Sequence, residues 1–150
     1  MKIILFLSLL IWVIPGFGKV KIQKPRSQHV TAFAIIVDEM TLEKTGGAVE
    51  AYRDALEADG LSTYIVSGNW KNPDEVKAEI IKLNKRKPVL EGVVFIGDIP
   101  VALIRNAQHM TTAFKMNEDE FPFPESSVPS DRFYDDLHLT FDFICQDSVN

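Results

Sequence analysis

Two aspartates at the ends of apolar runs form the first group of residues in this sequence that could do chemistry. Asp38 directly follows the run Thr31–Val37, and Asp98 lies at the end of the run Leu90–Gly97. In a parallel sheet, ligands bind outside the carboxyl ends of the strands, so both carboxylates are expected on one rim, beside Ser67–Gly68. Two carboxylates there could share a proton or hold a cation. The alternative, which we favour, is that each aspartate caps the helix or turn that follows.

The chain has one cysteine, Cys145, which excludes an internal disulfide and a thiolate metal cage. As a nucleophile this thiol needs a neighbouring base, and the histidines are His29, His109 and His138. An odd number of positions separates His138 from Cys145, so in an extended strand their side chains point to opposite faces. His29 lies in a polar leader and His109 in a polar loop. The sequence therefore identifies no cysteine and histidine pair for catalysis.

Acidic and aromatic residues cluster in the last third of the chain. Asn117–Glu120 and the aspartates Asp131, Asp135 and Asp136 could bind Ca²⁺, although the glycine-punctuated spacing of a calcium loop is missing. We favour a solvated acidic loop. Four aromatic residues could form a recognition surface, but packing over the sheet is the interpretation we favour. They are Phe121, Phe123, Phe133 and Tyr134.

The order of elements predicts the fold class that positions these residues. The runs Thr31–Val37, Leu61–Ser67 and Leu90–Gly97 are typical of strands buried on both faces. Helical patterns separate them, and strand, helix, strand, helix, strand is the order of a parallel sheet with crossover helices. We therefore predict an α/β fold, a three-layer parallel sheet flanked by helices, of flavodoxin-like type.

Two amphipathic helices are predicted between the strands. The first follows a connection over Glu39–Gly47, and Gly60 is expected to end it in a left-handed conformation. The second begins at the cap Asn72, with Pro73 in its first turn and Glu75 in a capping-box variant. Their inward-facing residues are predicted to be Ala48, Tyr52, Ala55 and Leu56 in the first helix, and Val76, Ile80, Ile81 and Leu83 in the second.

The segments that flank this pattern differ from it in character. Residues 19–30 carry three lysines and an arginine with no apolar period, which predicts a solvated leader. Residues 106–129 are first polar and then rich in proline and aromatic residues, which predicts a loop. From Leu137 to Ile144 apolar residues alternate with polar ones, which predicts a last strand.

Composition limits the classes of function. The 150 residues suit one domain, and 46% hydrophobic with 25% charged residues argues against a disordered chain. The net charge of −5 gives no basic surface for nucleic acid. Residues 1–18 have the layout of a signal peptide: Lys2, an apolar run too short to span a bilayer, and small residues before a cut after Gly18. We therefore expect a secreted or periplasmic protein with no membrane span once the signal peptide is removed.

Two motifs late in the chain point to a family. The first is the strand and turn Gly92–Pro100, and the second, further along, is Pro129–Asp136. In this order and at this separation they resemble the gingipain-type cysteine peptidases, secreted enzymes with a caspase-like fold. The resemblance covers about residues 31–144 and implies a partial caspase-like α/β domain over residues 31–150. The residues that carry it are Gly97, Asp98, Pro100, Ser130, Asp131 and Tyr134.

The resemblance also implies what this chain lacks. The catalytic region of that family looks like two caspase-like halves, and its histidine and cysteine belong to the second half. The motifs here match the first half, so no catalytic residue is carried over, and Cys145 does not match the site of the nucleophile. We expect a chain inactive on its own, a truncated product or the first piece of a longer gene. Its partner would be the second half, encoded in the same gene or a neighbouring one.

A secreted binding module is the alternative function. Its aromatic and acidic loop, residues 114–136, would hold a peptide, a glycan or Ca²⁺ without chemistry. Apart from that calcium, neither function calls for a cofactor. A degenerate remnant with no function is the third possibility.

Overall fold

The computed structural model of the chain describes residues 20–105, 120 and 127–146. The predicted signal peptide, His109, Phe121 and Phe123 lie outside the described residues, as does most of the predicted loop after residue 105. The strands are β1 (Lys21–Gln23), β2 (Thr31–Asp38), β3 (Leu61–Gly68), β4 (Val89–Ile96), β5 (Leu103–Ile104) and β6 (Val128–Pro129). The helices are α1 (Glu39–Ala58), α2 (Pro73–Asn84) and the single turn α3 (Arg132–Asp135).

The main sheet has four strands in the order β1-β3-β2-β4. β2 pairs in parallel with both β3 and β4, which confirms the α/β class and the three predicted strands, although β4 at the edge is only partly buried. β1 pairs antiparallel with β3, so the sheet is mixed and the prediction of a wholly parallel sheet is wrong at this edge. The prediction of a solvated leader is wrong at the same place. Ile22 packs on the apolar core while Lys21 and Gln23 face solvent. This is the alternation of a strand, but three residues are too few for it to be recognised in the sequence.

The two faces of the sheet carry separate apolar clusters. On one face Ile35, Val37 and Ile65 pack against Val49 of α1. On the other face Ala34 and neighbouring strand residues pack against α2. Because successive side chains of a strand point to opposite faces, strands buried on both sides give three layers: helix, sheet and helix.

α1 differs from its prediction in where it begins and in which side it buries. It begins at Glu39, so the expected connection over Glu39–Gly47 is helical, with irregular backbone angles at Thr45. The buried residues are Val49, Arg53 and Glu57, displaced from the predicted apolar stripe, in which Tyr52 is exposed. Two charged residues face inward because the preceding arm of the chain, residues 20–30, folds back over them.

Glu57 holds this arm against α1 by hydrogen bonds. Its carboxylate accepts hydrogen bonds from the backbone N–H groups of Arg26 and Ser27, both at 2.9 Å, and from Ser27 Oγ at 2.8 Å. Arg53 donates from Nη1 to Gln23 Oε1 at 3.2 Å. Burial alone raises the pKa of Glu57, but the hydrogen bonds from Ser27 and Arg26 outweigh it, and the pKa lies below 4.5. The arm therefore satisfies the buried carboxylate of Glu57, whereas Arg53 also pairs with Glu50 and Asp54 of its own helix.

The sequence predicted α2 well and the end of the chain poorly. Asn72 caps α2 by accepting from Glu75 N–H, and Pro73 is its first residue, as predicted. Residues 137–144 form no strand, so that prediction is wrong. The alternation is real, but Phe143 and Ile144 are 78% and 55% exposed, and no neighbouring strand among the described residues pairs with them. Within the described residues, no helix is long and apolar enough to cross a membrane.

Replacing Glu57 by glutamine should lower the free energy of unfolding by about 1.5–3 kcal/mol, because an amide cannot accept all three hydrogen bonds. The folded-state pKa is lowered, so the stabilisation is present above the ordinary pKa of 4.5 and is lost as the pH falls through the folded value. Denaturant unfolding at neutral and acidic pH measures both effects. Glu43→Gln, at an exposed position of the same helix, is the control, and equal losses in the two variants would contradict the role of Glu57.

Candidate functional site

The candidate site is the rim formed by the carboxyl ends of β2 and β4. The chain leaves β2 through α1 on one face of the sheet and reaches β4 through α2 on the other. This is the point where the direction of winding changes, and a crevice for ligands is expected there in open α/β sheets. Asp38 ends β2, and Asp98 follows β4 across one intervening residue, Gly97.

The carboxylate of Asp38 joins the two strand ends. Oδ1 accepts from the backbone N–H of Thr41 at 2.9 Å, which caps α1. Oδ2 accepts from the backbone N–H of Asp98 at 2.9 Å, which fixes the turn after β4. Asp38 is only 9% exposed. Burial raises its pKa, but the hydrogen bonds from Thr41 and Asp98 outweigh this and hold the pKa below 3.8.

Gly97 makes this contact possible. Its φ of +88° is in the left-handed region, and a Cβ there would lie 1.9 Å from Asp38 Oδ2 and 2.4 Å from Thr41 Oγ1. Only glycine fits this position. The Gly97–Asp98 turn is recognisable in the sequence, but no sequence pattern shows that the glycine is needed for the close approach to Asp38.

The rim joins the two aspartates through one backbone contact. Asp98 contributes its N–H to Asp38, and its side chain is exposed. Asp38 thus acts as the cap described in the alternative that we favour. The third part of the predicted rim, Ser67–Gly68, is buried, and the ring of Trp70 covers it closely enough that a Cβ at Gly68 would lie 2.9 Å from a ring carbon. The exposed part of the rim is therefore the turn Gly97–Asp98 after β4.

Next to the rim, the segments Gly92–Pro100 and Pro129–Asp136 contact each other. Tyr134 donates its hydroxyl hydrogen to the backbone oxygen of Pro100, and Ser130 N–H donates to Ala102 O at 3.0 Å. The ring of Tyr134 lies 4.8 Å from that of Phe95 on β4. Tyr134 is 4% exposed, and burial, with nearby acidic groups, raises its pKa far above the usual range.

The remaining candidates have separate local roles. The backbone oxygen of Asp131 accepts from the N–H groups of Tyr134 and Asp135, which forms the turn α3. Asp136 accepts from the N–H groups of His138 and Leu139 at 3.1 and 3.2 Å. The calcium candidates are these two and Asp135, whose side chain is exposed. Within residues 20–105 and 127–146, no three metal-ligating side chains form a group.

Cys145 and the described histidines occupy different surroundings. Cys145 is a free, exposed thiol. His29 donates its backbone N–H to Ser62 Oγ at 2.7 Å, and its Nε2 lies 3.0 Å from Ser27 Oγ. These contacts belong to the arm at the amino end of the sheet, away from the rim. Beyond the polar composition of the leader, no pattern in the sequence predicts them.

A search of protein-family models, of curated proteins and of solved structures finds no match to this chain.

Replacing Gly97 by alanine should lower the free energy of unfolding by roughly 2–5 kcal/mol, because of left-handed strain and the clash with Asp38. Gly47→Ala is a control of opposite sign, since nothing lies within 4 Å of a Cβ there and the residue is helical. It should add about 0.5–1 kcal/mol. Denaturant unfolding measures both values, and a neutral Gly97→Ala would contradict the close packing of the rim.

Asp38→Ala should cost roughly 2–4 kcal/mol, since it removes the helix cap and leaves the Asp98 N–H unpaired. Asp38→Asn should cost less, because an amide oxygen still caps α1. The wild-type contribution is present above the ordinary pKa of 3.8 and is lost as the pH falls through the lowered folded value. Stability measured from pH 7 to about 2 should thus fall less steeply in Asp38→Asn. Parallel curves for the two proteins would refute the assignment.

Proposed function

We propose that this chain is the non-catalytic half of a gingipain-like cysteine peptidase domain, with a sheet of caspase-like type, and that it braces the half that cleaves peptides. The single observation that carries this proposal is the contact between the two motif segments. Tyr134 reaches Pro100 through its hydroxyl group, although the two lie 34 positions apart, and Ser130 binds Ala102 next to it. The two stretches that resemble the family are thus parts of one local structure at the end of β4.

The sheet has an edge suited to a second half. β4 is an edge strand of eight residues, and among the described residues no strand pairs with its outer side. Residues Val93–Ile96 are half-buried, whereas Ile35–Val37 on the neighbouring β2 are fully buried. An apolar edge with free backbone groups is a site where a further strand can add. In the proposed domain, the catalytic half extends the sheet here.

In the complete domain, hydrolysis would use groups from the second half. A cysteine thiolate would attack the carbonyl carbon of the scissile peptide bond, and a histidine would protonate the leaving amine. Water would then release the acyl group. This chain contributes the rim held by Asp38 and the aromatic packing of Tyr134 against β4, which keep the neighbouring strands in place.

Export to the periplasm or the medium is part of the proposal. It is supported by the signal-peptide layout of residues 1–18 in the sequence.

The alternative function, a secreted binding module, has weaker support. It needs the aromatic residues of the loop 114–136 on the surface. Phe133 and Tyr134 instead pack against each other at 5.2 Å, with Tyr134 buried. The described part of the loop thus favours a structural role.

The purified chain should show no thiol-dependent cleavage of peptide substrates, and Cys145→Ala should leave that result unchanged, because no described imidazole contacts the exposed thiol. A fluorogenic peptide library with and without reducing agent measures this. Thiol-dependent cleavage that Cys145→Ala abolishes would overturn the assignment of this half as non-catalytic.

The coding DNA that follows the codon for Asn150 tests whether the proposed catalytic half is encoded there. We expect a His-Gly segment and a later cysteine, in the same frame or after one stop codon. Expressed together with this chain, that segment should restore thiol-dependent peptide cleavage. An unrelated gene at that place would count against the peptidase function.

A further inference from the structure

The residues after α3 lie along α2 without forming a helix or a strand. We call residues 137–146 the C-terminal strap. At its start Leu137 packs against the apolar cluster that contains the inner side of α2. Further along, the ring of Phe141 packs on the ring of Phe133 in α3, with centroids 5.2 Å apart. Beyond Phe141 the strap is exposed, up to 78% at Phe143.

One ammonium group on α2 holds these parts together. Nζ of Lys77 lies 4.6 Å from the ring centroid of Phe133 and 4.9 Å from that of Phe141, within the range of a cation–π contact. It also donates to the backbone oxygens of Asp136 at 3.4 Å and Leu139 at 3.5 Å. A single positive charge therefore contacts α3, its C-cap residue and the C-terminal strap at once.

The other hydrogen bonds of the strap are local. The carboxylate of Asp136 accepts from the N–H groups of His138 and Leu139, which forms a turn without reaching α2. Within the part of the chain that the structure describes, the hydrogen bond between the strap and α2 is the one from Lys77 Nζ to Leu139 O, and the bond to Asp136 O lies directly before the strap. The seating of the strap thus rests on apolar contacts and on this one charge.

The surroundings of the ammonium group make its charge significant. Burial lowers the pKa of Lys77, while the carboxylates of Asp136 and Asp74 act in the opposite direction and only partly compensate. The guanidinium of Arg132 lies 3.7 Å from Asp136 and shares that carboxylate. The cation is therefore held by ring faces and carbonyl oxygens more than by a close ion pair.

We propose that the C-terminal strap is a releasable element whose seating on α2 depends on the positive charge of Lys77. Loss of the charge removes both cation–π contacts and weakens both hydrogen bonds to carbonyl oxygens, because a neutral amine is a poorer donor than an ammonium group. The aliphatic carbons of the side chain are retained. Release uncovers the ring of Phe133 and the adjacent side of α2. The device is independent of whether the chain is part of a peptidase.

Amide hydrogen exchange of the purified chain tests the proposal with three variants. In Lys77→Met, the amides of His138 and Leu139, which are hydrogen-bonded at the start of the strap, should exchange about tenfold faster than in the wild type, while β2 and β3 keep their protection. Lys77→Arg keeps the charge and should stay close to the wild type. Lys82→Met is the matched control, since Lys82 is on the same helix but pairs with Glu79. Unchanged strap exchange in Lys77→Met, or equal loosening in Lys77→Arg, would overturn the proposal.

A second measurement covers the case in which Lys77→Met does not fold. The single cysteine, Cys145, is exposed in the strap and accepts a nitroxide label without further substitution. In the wild type the label should become more mobile as the pH rises through the lowered pKa of Lys77 and the side chain loses its proton, whereas in Lys77→Arg it should not. The titration must leave the far-ultraviolet circular dichroism unchanged. Equal mobility changes in both proteins, or none in either, would refute the role of the charge.

Discussion

The carboxylate of Asp38 connects the two parts of the sheet that the chain builds separately. β2 and β4 are adjacent in the sheet, but α1, β3 and α2 lie between them in sequence. Parallel pairing aligns the strands, and Asp38 then accepts one N–H from the helix after its own strand and one from the turn after the other. Because both oxygen atoms are occupied, the approach of the two strand ends is fixed. The position of Pro100, and with it the contact of Tyr134, depends on this turn.

A second acid does similar work at the opposite end of the sheet. Glu57 lies near the end of α1, just before β3, and binds backbone N–H groups of the arm. Both acids are buried, and both are satisfied mainly by N–H donors and not by cations, which explains why their pKa values fall although burial alone raises them. The unit from β1 to β3 is therefore tied by a carboxylate at each end of α1. The two buried carboxylates fix the position of the backbone around them, because each hydrogen bond requires its N–H donor at a particular place.

The parts of the fold that follow from short-range rules could be predicted from sequence. β2, β3 and β4 were found because a strand buried on both faces needs a continuous apolar run, and α2 was found because Asn72, Pro73 and Glu75 form a local start signal. The inward side of α1 was not found, since Arg53 and Glu57 look like solvent-facing residues until the arm is placed over them. The strand predicted for residues 137–144 failed for the converse reason. Alternation describes the residues themselves, but a strand also needs a partner.

Of the candidate site, the sequence placed Asp38 and Asp98 on one rim through topology alone. The sequence did not show whether the two carboxylates share a proton or a cation, or whether Asp38 caps the following helix. The answer depends on whether the side chain or the backbone N–H of Asp98 faces the carboxylate of Asp38. The sequence also offered no reason to expect the ammonium of Lys77 between two rings, since Phe133 and Phe141 are far from α2 in sequence. Contacts between single side chains that are far apart in the sequence could not be predicted.

The antiparallel β1 has a consequence for how the chain folds during synthesis. It closes the outer side of β3, and its partners, including the residues that anchor the arm, all lie before residue 69. The pairing of β1 with β3 and the hydrogen bonds of the arm can therefore form as soon as β3 has been made, before α2 and β4 exist. Folding can then proceed from the N-terminal part of the chain, and β4 adds to a β2 strand that is already paired with β3. Growth of the sheet then has one direction, from β3 through β2 toward β4.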